Sequence, residues 1–362
     1  MLHISPLAKQ PECENNALCL IEALTGMDHQ VLVLDRAGPM TEIWRKAGAN
    51  VEHLDILSEP GMTFFAKLQR SLGKLPARPE GIIYWSTSRL SLVLNAARSA
   101  SAPLVAHVGN TATDSVMQSM RARVAELVLP ASPGARLVAC SEHVRLSLSE
   151  STYLRRFPAA VIYNPVALPD LRHQVRELRS EDPIRLGMVA SIDPIKDHTT
   201  TLLALSILRV RFPQITLEFA GDGELRQEVE QQASRLGLSD CVHFLGHVAD
   251  ISRLIVEWDL FWYSTTVREG LGNAVIEAQA AGLPCVVSDL PMMREVGGDD
   301  SGCLYFLAGD AEDLARKTVT LLEDAGRCRL LSGKGRTRVA EFFSPEQAAQ
   351  HYLGALGITG LV

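Results

Sequence analysis

The chain has 362 residues, 47% of them hydrophobic, and a formal net charge of −7. That length suggests two domains, and the apolar content is enough to fill two cores. Residues 1–166 hold 16 Lys+Arg against 14 Asp+Glu, a balance of +2, and the remainder holds 19 against 28, a balance of −9, which argues against a general nucleic-acid binder. The mildly basic N-terminal part is compatible with an anionic acceptor or an anionic membrane surface. The seven cysteines are scattered, with no CxxC spacing, so metal and redox motifs are not expected. The start, MLHISPLAKQ, lacks the pattern of a signal peptide, and no apolar run reaches membrane-spanning length. The expected location is the cytoplasm, soluble or peripherally attached to a membrane.

In chain order, residues 2–6 read as a short apolar strand, followed by the polar loop KQPECENN and an amphipathic helix at 17–24. Strands are expected at 29–35 and 51–56, with a helix at 41–48 between them. A helix at 62–72 carries Lys67 and Arg70, ends at Gly73, and is followed by Lys74 and Arg78. It reads as a solvated amphipathic helix, with membrane-surface attachment as the sharper alternative. Strands follow at 81–85, 104–108, 135–140 and 159–163, with helices at 90–100 and 121–129 and Ser141 as a cap. This alternation predicts a parallel sheet covered on both faces.

Residues 167–183 are polar and charged and lie between prolines, which predicts an interdomain linker. Alternation then restarts. Strands are expected at 184–190, 215–220, 241–244 and 260–263, with helices at 199–210, 224–235 and 251–257. Helices at 311–322 and 328–343 close the second half, and a last helix covers 346–356. No tandem repeat or low-complexity tract is present. The expected fold is therefore α/β with two doubly wound Rossmann-like domains. Ligands of such sheets bind beyond the carboxyl ends of the strands, which places the expected site in a cleft between the domains.

The most informative stretch is 269–289, EGLGNAVIEAQAAGLPCVVSD. Glu269 and a glycine pair, Gly270 and Gly272, feed a helix that Gly282 and Pro284 stop, and residues 285–288 read as a buried strand. A Gly-rich turn at a helix N-terminus offers backbone N–H groups and a positive dipole end to an anion. Glu277, with seven residues between it and Glu269, adds a second carboxylate near the first helical turn. Taken alone, two such glutamates in a loop-helix-strand block are ordinary α/β architecture.

Three other strand-to-turn segments stand out. In GMVASIDPIKDH, residues 187–198, Lys196 precedes a helix and can meet a phosphate as a point charge, although a lone lysine is more often a solvated one. FAGDG, residues 219–223, is a tight turn, and AGDGEL lacks the spacing of a nicotinamide-binding fingerprint. HFLGHVAD, residues 243–250, ends a strand at Gly246. In the N-terminal half, His107 falls at the carboxyl end of a strand before Gly109 and Asn110, either as a site residue or as a buried histidine satisfied by a partner. The remaining histidines show no metal-ligand spacing. Asp35 and Asn164 read as turn residues.

Together these segments resemble the retaining, nucleotide-sugar-dependent glycosyltransferases of GT-B fold, of the group 1 (family 4) type. The resemblance is strong over 184–345 and is followed by FFSPEQAAQHY; over 1–166 it rests on VIYNPV and the His107 turn. It implies an acceptor-side domain at 1–166, a linker at 167–183, a donor-binding domain at 184–345, and a closing helix at 346–362 that packs back towards the N-terminal domain. Lys196 would contact the donor diphosphate, and Glu269 the sugar hydroxyls. Backbone N–H groups around Leu271, Gly272 and Asn273 would hold sugar or phosphate oxygens. Glu277 would bind the ribose, the turn near Val248 would meet the base, and His107 would lie near sugar and acceptor. The implied reaction retains anomeric configuration and needs no metal or other cofactor, with a UDP- or GDP-sugar as substrate. The implied acceptor is a glycan or lipid-linked hydroxyl in cell-surface polysaccharide or lipopolysaccharide synthesis.

Two departures qualify this pattern. The resemblance implies an arginine five residues before the lysine, where this chain has Ser191, preceded by Ala190 in place of a glycine. The serine cannot supply a charge-assisted bidentate contact to the diphosphate. The first loop has no Gly-Gly-x-Glu turn, and Glu14 is the residue that could match its glutamate. The rival expectation is therefore a non-catalytic GT-B subunit that binds a partner transferase.

Overall fold

The computed structural model describes residues 1–8, 13–112, 135–170, 172–178, 181–248, 250–298 and 302–359. The helix expected at 121–129, and residues 9–12 of the first loop, lie outside that set. The chain forms two units, Met1–Pro165 with Pro345–Val362, and Val166–Ser344.

The first unit is a parallel sheet of β1 (Leu2–Ser5), β2 (Gln30–Val33), β3 (Asn50–His53), β4 (Ile82–Tyr84), β5 (Leu104–Val108), β6 (Ala135–Ala139) and β7 (Ala159–Val161). Its order is β3-β2-β1-β4-β5-β6-β7. The sequence accounts for this. LVAHV of β5 is buried at every position, as a strand covered on both faces must be. The helix Cys13–Ala23 begins earlier than the apolar spacing predicts. Pro345–Leu356 buries Ala348, Ala349, Tyr352, Leu353 and Leu356 in the core of this first unit.

The second unit is a parallel sheet of β8 (Ile184–Val189), β9 (Ile215–Ala220), β10 (Val242–Gly246), β11 (Leu260–Tyr263), β12 (Cys285–Ser288) and β13 (Leu304–Phe306). Its order, β10-β9-β8-β11-β12-β13, reverses direction between β8 and β11. In a doubly wound sheet the loops leaving those two strands flank the binding crevice. They are the loops that carry Ser191 and Lys196, and Glu269.

Three differences from the expectations have physical causes. The short helix Pro291–Gly297 and the three-residue strand β13 were not anticipated, because neither is long enough to show a period. The stretch 167–183 is counted with the second unit. Arg176 grips Asp259 through two hydrogen bonds of 2.9 and 2.8 Å, and the His173 amide donates to the Ala281 carbonyl at 2.8 Å. Val175 and Leu178 pack against the second core, so ion pairing and two apolar contacts tether a segment whose composition reads as a linker.

Candidate functional site

The site begins where β8 and β9 end. Gly221 has φ +143°, and a Cβ there would lie 2.0 Å from the Ala190 carbonyl oxygen. Only glycine permits this approach. The Ile192 amide donates to Asp222 O at 3.0 Å and the Leu225 amide to Ile192 O at 3.0 Å, so the FAGDG turn buttresses the 190–192 backbone. Gly221 also donates to Gly246 O at 2.8 Å. That bridge ties the turn leading to the half-buried Val248 onto the same set of loops.

Asp193 organises the next residues. It accepts the Ser191 hydroxyl at 2.6 Å and the amides of Ile195 and Lys196 at 2.8 and 3.3 Å. Burial pushes the Asp193 carboxyl up, but the Ser191 hydroxyl, the Ile195 amide and the charge and amide of Lys196 together outweigh it, and the pKa lies below the ordinary value. The Ser191 hydroxyl is thus committed to its own loop.

The loops after β8 and β11 are laced by backbone bonds. Asp197 N donates to Ser264 O at 3.1 Å, and Thr266 N to Ile195 O at 3.0 Å. This lacing sets Lys196 against Glu269 as an ion pair whose side chains are 11% and 9% exposed. Glu269 Oε2 also accepts the Tyr263 hydroxyl at 2.8 Å and the Thr265 hydroxyl at 3.2 Å. Oε1 accepts the Gly270 amide at 3.1 Å. Among the described residues Oε1 takes that one donor, so it keeps acceptor capacity for a hydroxyl. Burial raises the Glu269 pKa, but Lys196, Tyr263 and the Gly270 amide together pull it below the ordinary carboxylate value. Glu269 is therefore an anion at neutral pH.

The helix Asn273–Ala281 starts beside it. Gly272 is its N-cap, with φ +86°, and a Cβ there would meet Met293 Cε at 2.5 Å. A left-handed residue at this point turns the chain so that the helix N-terminus follows directly on the Glu269 loop. Leu271 is buried, whereas Asn273 and Glu277 are half-buried. Burial of its carboxyl raises the Glu277 pKa to about 7. Near neutral pH Glu277 is thus divided between a form that accepts hydrogen bonds and one that also donates.

His107 lies in the first unit, where it is 1% exposed. Its Nδ1 is 2.9 Å from the Tyr352 hydroxyl, and its ring centroid is 5.4 Å from that of Trp85. Among the described residues Nε2 is buried with no hydrogen-bond partner, and burial lowers the pKa to about 4. His107 is a neutral imidazole in a packed environment. Nearby, Trp85 Nε1 donates to His3 Nδ1 at 3.2 Å, His3 Nε2 meets His29 Nδ1 at 3.0 Å, and His29 Nε2 meets Leu24 O at 3.0 Å. Because the indole can only donate, both imidazoles fit the chain as neutral tautomers. Glu14 is buried, and Asn164 accepts a bond of 2.9 Å from Asn16.

Of the residues singled out from sequence, the second unit brings Ser191, Lys196, Glu269, Leu271, Gly272, Asn273 and Glu277 onto adjoining loops and one helix start. His107 belongs to the other unit. Asp193, Tyr263 and Thr265 were missed. The signal for Tyr263 was its place as the last residue of β11, where doubly wound sheets put site residues. Among the described residues, no group of three or more His, Cys, Asp or Glu could hold a metal ion. No helix among them is long and apolar enough to cross a membrane.

Residues 171–338 match the family described as Glycosyl transferases group 1. The lipopolysaccharide core biosynthesis glycosyltransferase LpsE of Rhizobium meliloti is 31% identical over 146 residues, covering 40% of this chain and 43% of that protein. The MMP alpha-(1->4)-mannosyltransferase of Mycolicibacterium hassiacum is 29% identical over 189 residues, covering 51% and 45%. The chain thus spans less than half the length of the curated relatives it matches. The crystal structure of Anabaena HepE in complex with UDP and glucose superposes with a TM-score of 0.82 at 19% identity, over 99% of both chains. Sucrose-phosphate synthase from Thermosynechococcus elongatus superposes with a TM-score of 0.72 at 16% identity, over 99% of both. The fold is that of GT-B proteins, two parallel-sheet α/β domains, and residues 171–338 of the chain match the group 1 glycosyltransferase family.

Proposed function

From the group 1 glycosyltransferase domain at residues 171–338, we infer that the protein transfers a sugar from a nucleotide-diphosphate donor to a hydroxyl of a glycan or lipid-linked acceptor. The observation that carries this reading is the buried Lys196–Glu269 pair at the sheet's switch point, beside a helix N-terminus and Glu277.

In this reading Lys196 turns towards the donor diphosphate and stabilises the leaving group together with first-turn amides of the helix at Asn273. Glu269 holds sugar hydroxyls and, as an anion, stabilises positive character at the anomeric carbon. Glu277 binds the ribose hydroxyls, and the Val248 turn meets the base. Retention of configuration, independence of metal and absence of a further cofactor belong to this proposal and rest on the resemblance. The HepE structures, in complex with UDP and glucose, with UDP and with UDP-glucose, support a UDP-sugar as the first donor to try. The lipopolysaccharide relative supports an acceptor in cell-surface glycan synthesis. Peripheral contact with the inner membrane surface is the finer part of the proposal. Met62, 74% exposed on a helix with Lys67 and Arg70, is its motive.

A second reading, a non-catalytic subunit that binds a partner transferase, is favoured by the uncharged Ser191. Calorimetry with UDP and GDP tests the choice. Binding of either, weakened by Lys196→Met, supports the donor site, and no heat with either favours the second reading.

A further inference from the structure

Tyr263 touches both members of the buried ion pair. It ends β11 and is 3% exposed. Its hydroxyl donates to Glu269 Oε2 at 2.8 Å, while Lys196 Nζ sits 5.1 Å from its ring centroid. We propose that Tyr263 is a positioning residue that holds the Glu269 carboxylate in place when Lys196 turns from it to the donor diphosphate. This rests on the donor-site reading of Lys196 and Glu269.

The argument is one of donors and acceptors. A lysine ammonium drawn to a diphosphate shares less of itself with Glu269, and a carboxylate that is 7% exposed then needs another donor. The Thr265 hydroxyl has one proton and two acceptors at 3.2 Å, Glu269 Oε2 and the Ile195 carbonyl, so it divides its bond. The Tyr263 hydroxyl is the shorter and more committed donor. Its ring face meanwhile offers the ammonium a favourable surface to move across. Tyr263→Phe keeps that face and nearly all the volume, and removes only the donor.

The test is steady-state kinetics of the full chain with the sugar nucleotide it turns over, for wild type, Tyr263→Phe, Glu269→Gln and the double variant. Loss of a hydrogen bond to a buried charge should lower kcat in Tyr263→Phe by about ten- to a hundredfold, with donor KM changed by less than about threefold. The acid limb of the kcat–pH profile should move to higher pH, because Glu269 loses a donor to its ionised form. In the Glu269→Gln background, Tyr263→Phe should cost little more. Wild-type kcat and pH profile in Tyr263→Phe, or an equal loss in both backgrounds, would overturn the proposal. If the wild type neither turns over a sugar nucleotide nor binds UDP or GDP, the donor-site reading fails instead. Carbon-13 NMR titration of the Glu269 carboxyl then decides the role of Tyr263 without substrate. A higher pKa in Tyr263→Phe supports it, and an unchanged one overturns it.

Discussion

The hydroxyl of Ser191 donates to Asp193 Oδ2 at 2.6 Å, inside the loop that presents Lys196. The position at which the resemblance implies a phosphate-binding arginine is thus occupied by a group that shapes its own loop. Lys196 is left as the side-chain cation that the proposed donor site offers from this loop. Ser191→Arg should tighten UDP or GDP binding about tenfold if the position faces the phosphates. Calorimetry measures it, and unchanged affinity would mean that the new arginine pairs with Asp193 instead.

The Lys196–Glu269 pair also contributes to stability. Breaking a buried pair leaves an uncompensated charge, so Lys196→Met should destabilise the second unit by about 3 kcal/mol. The double variant Lys196→Met with Glu269→Gln should recover much of that loss, since no orphaned charge remains. Urea denaturation of the three proteins checks both statements.

Glu277 predicts a proton linked to nucleotide binding. Its pKa is raised to about 7 by burial, and ribose hydroxyls that donate to the carboxylate would lower it again. Binding at pH 6.5 should therefore release a proton. Calorimetry in buffers of different ionisation enthalpy reads the release directly, and Glu277→Gln should abolish it.

The buried histidines predict acid sensitivity. His107 and His198 have pKa values lowered to about 4 by burial, and burial lowers His3 and His29 as well. The unfolded chain binds these protons first, so stability is complete above pH ~6.5 and falls between there and about pH 4. His107 alone should remove about 2 kcal/mol at pH 5 relative to pH 7.5. Denaturant midpoints across this range test it, and His107→Phe should flatten the dependence.

Much of this molecule was legible in the sequence because strands covered on both faces leave apolar runs and glycines punctuate them. The turn-helix-strand block from Glu269 onwards and the glycines of FAGDG were visible for that reason. What was illegible depends on strand order. Tyr263 meets Lys196, and Thr265 sits beside Ile195, because β8 and β11 are neighbours in the sheet although 73 residues separate Lys196 from Glu269. No periodicity records such a contact. The commitment of Ser191 to Asp193 was hidden differently, since loop geometry rather than residue type decides which acceptor a serine finds. The segment 167–183 reads as a linker by composition, and its ties to the second unit, Arg176 to Asp259 and the packing of Val175 and Leu178, depend on partners that no local pattern records.

The most direct measurement is sugar transfer by the purified chain from a panel of UDP- and GDP-sugars to glycan and lipid-linked acceptors, compared with Glu269→Gln. The proposed function predicts turnover with at least one donor, unaffected by a metal chelator, giving a product that keeps the donor's anomeric configuration, with kcat at least about a hundredfold lower in the variant. Absence of turnover and of nucleotide binding in the wild type, or equal turnover in both proteins, would contradict it.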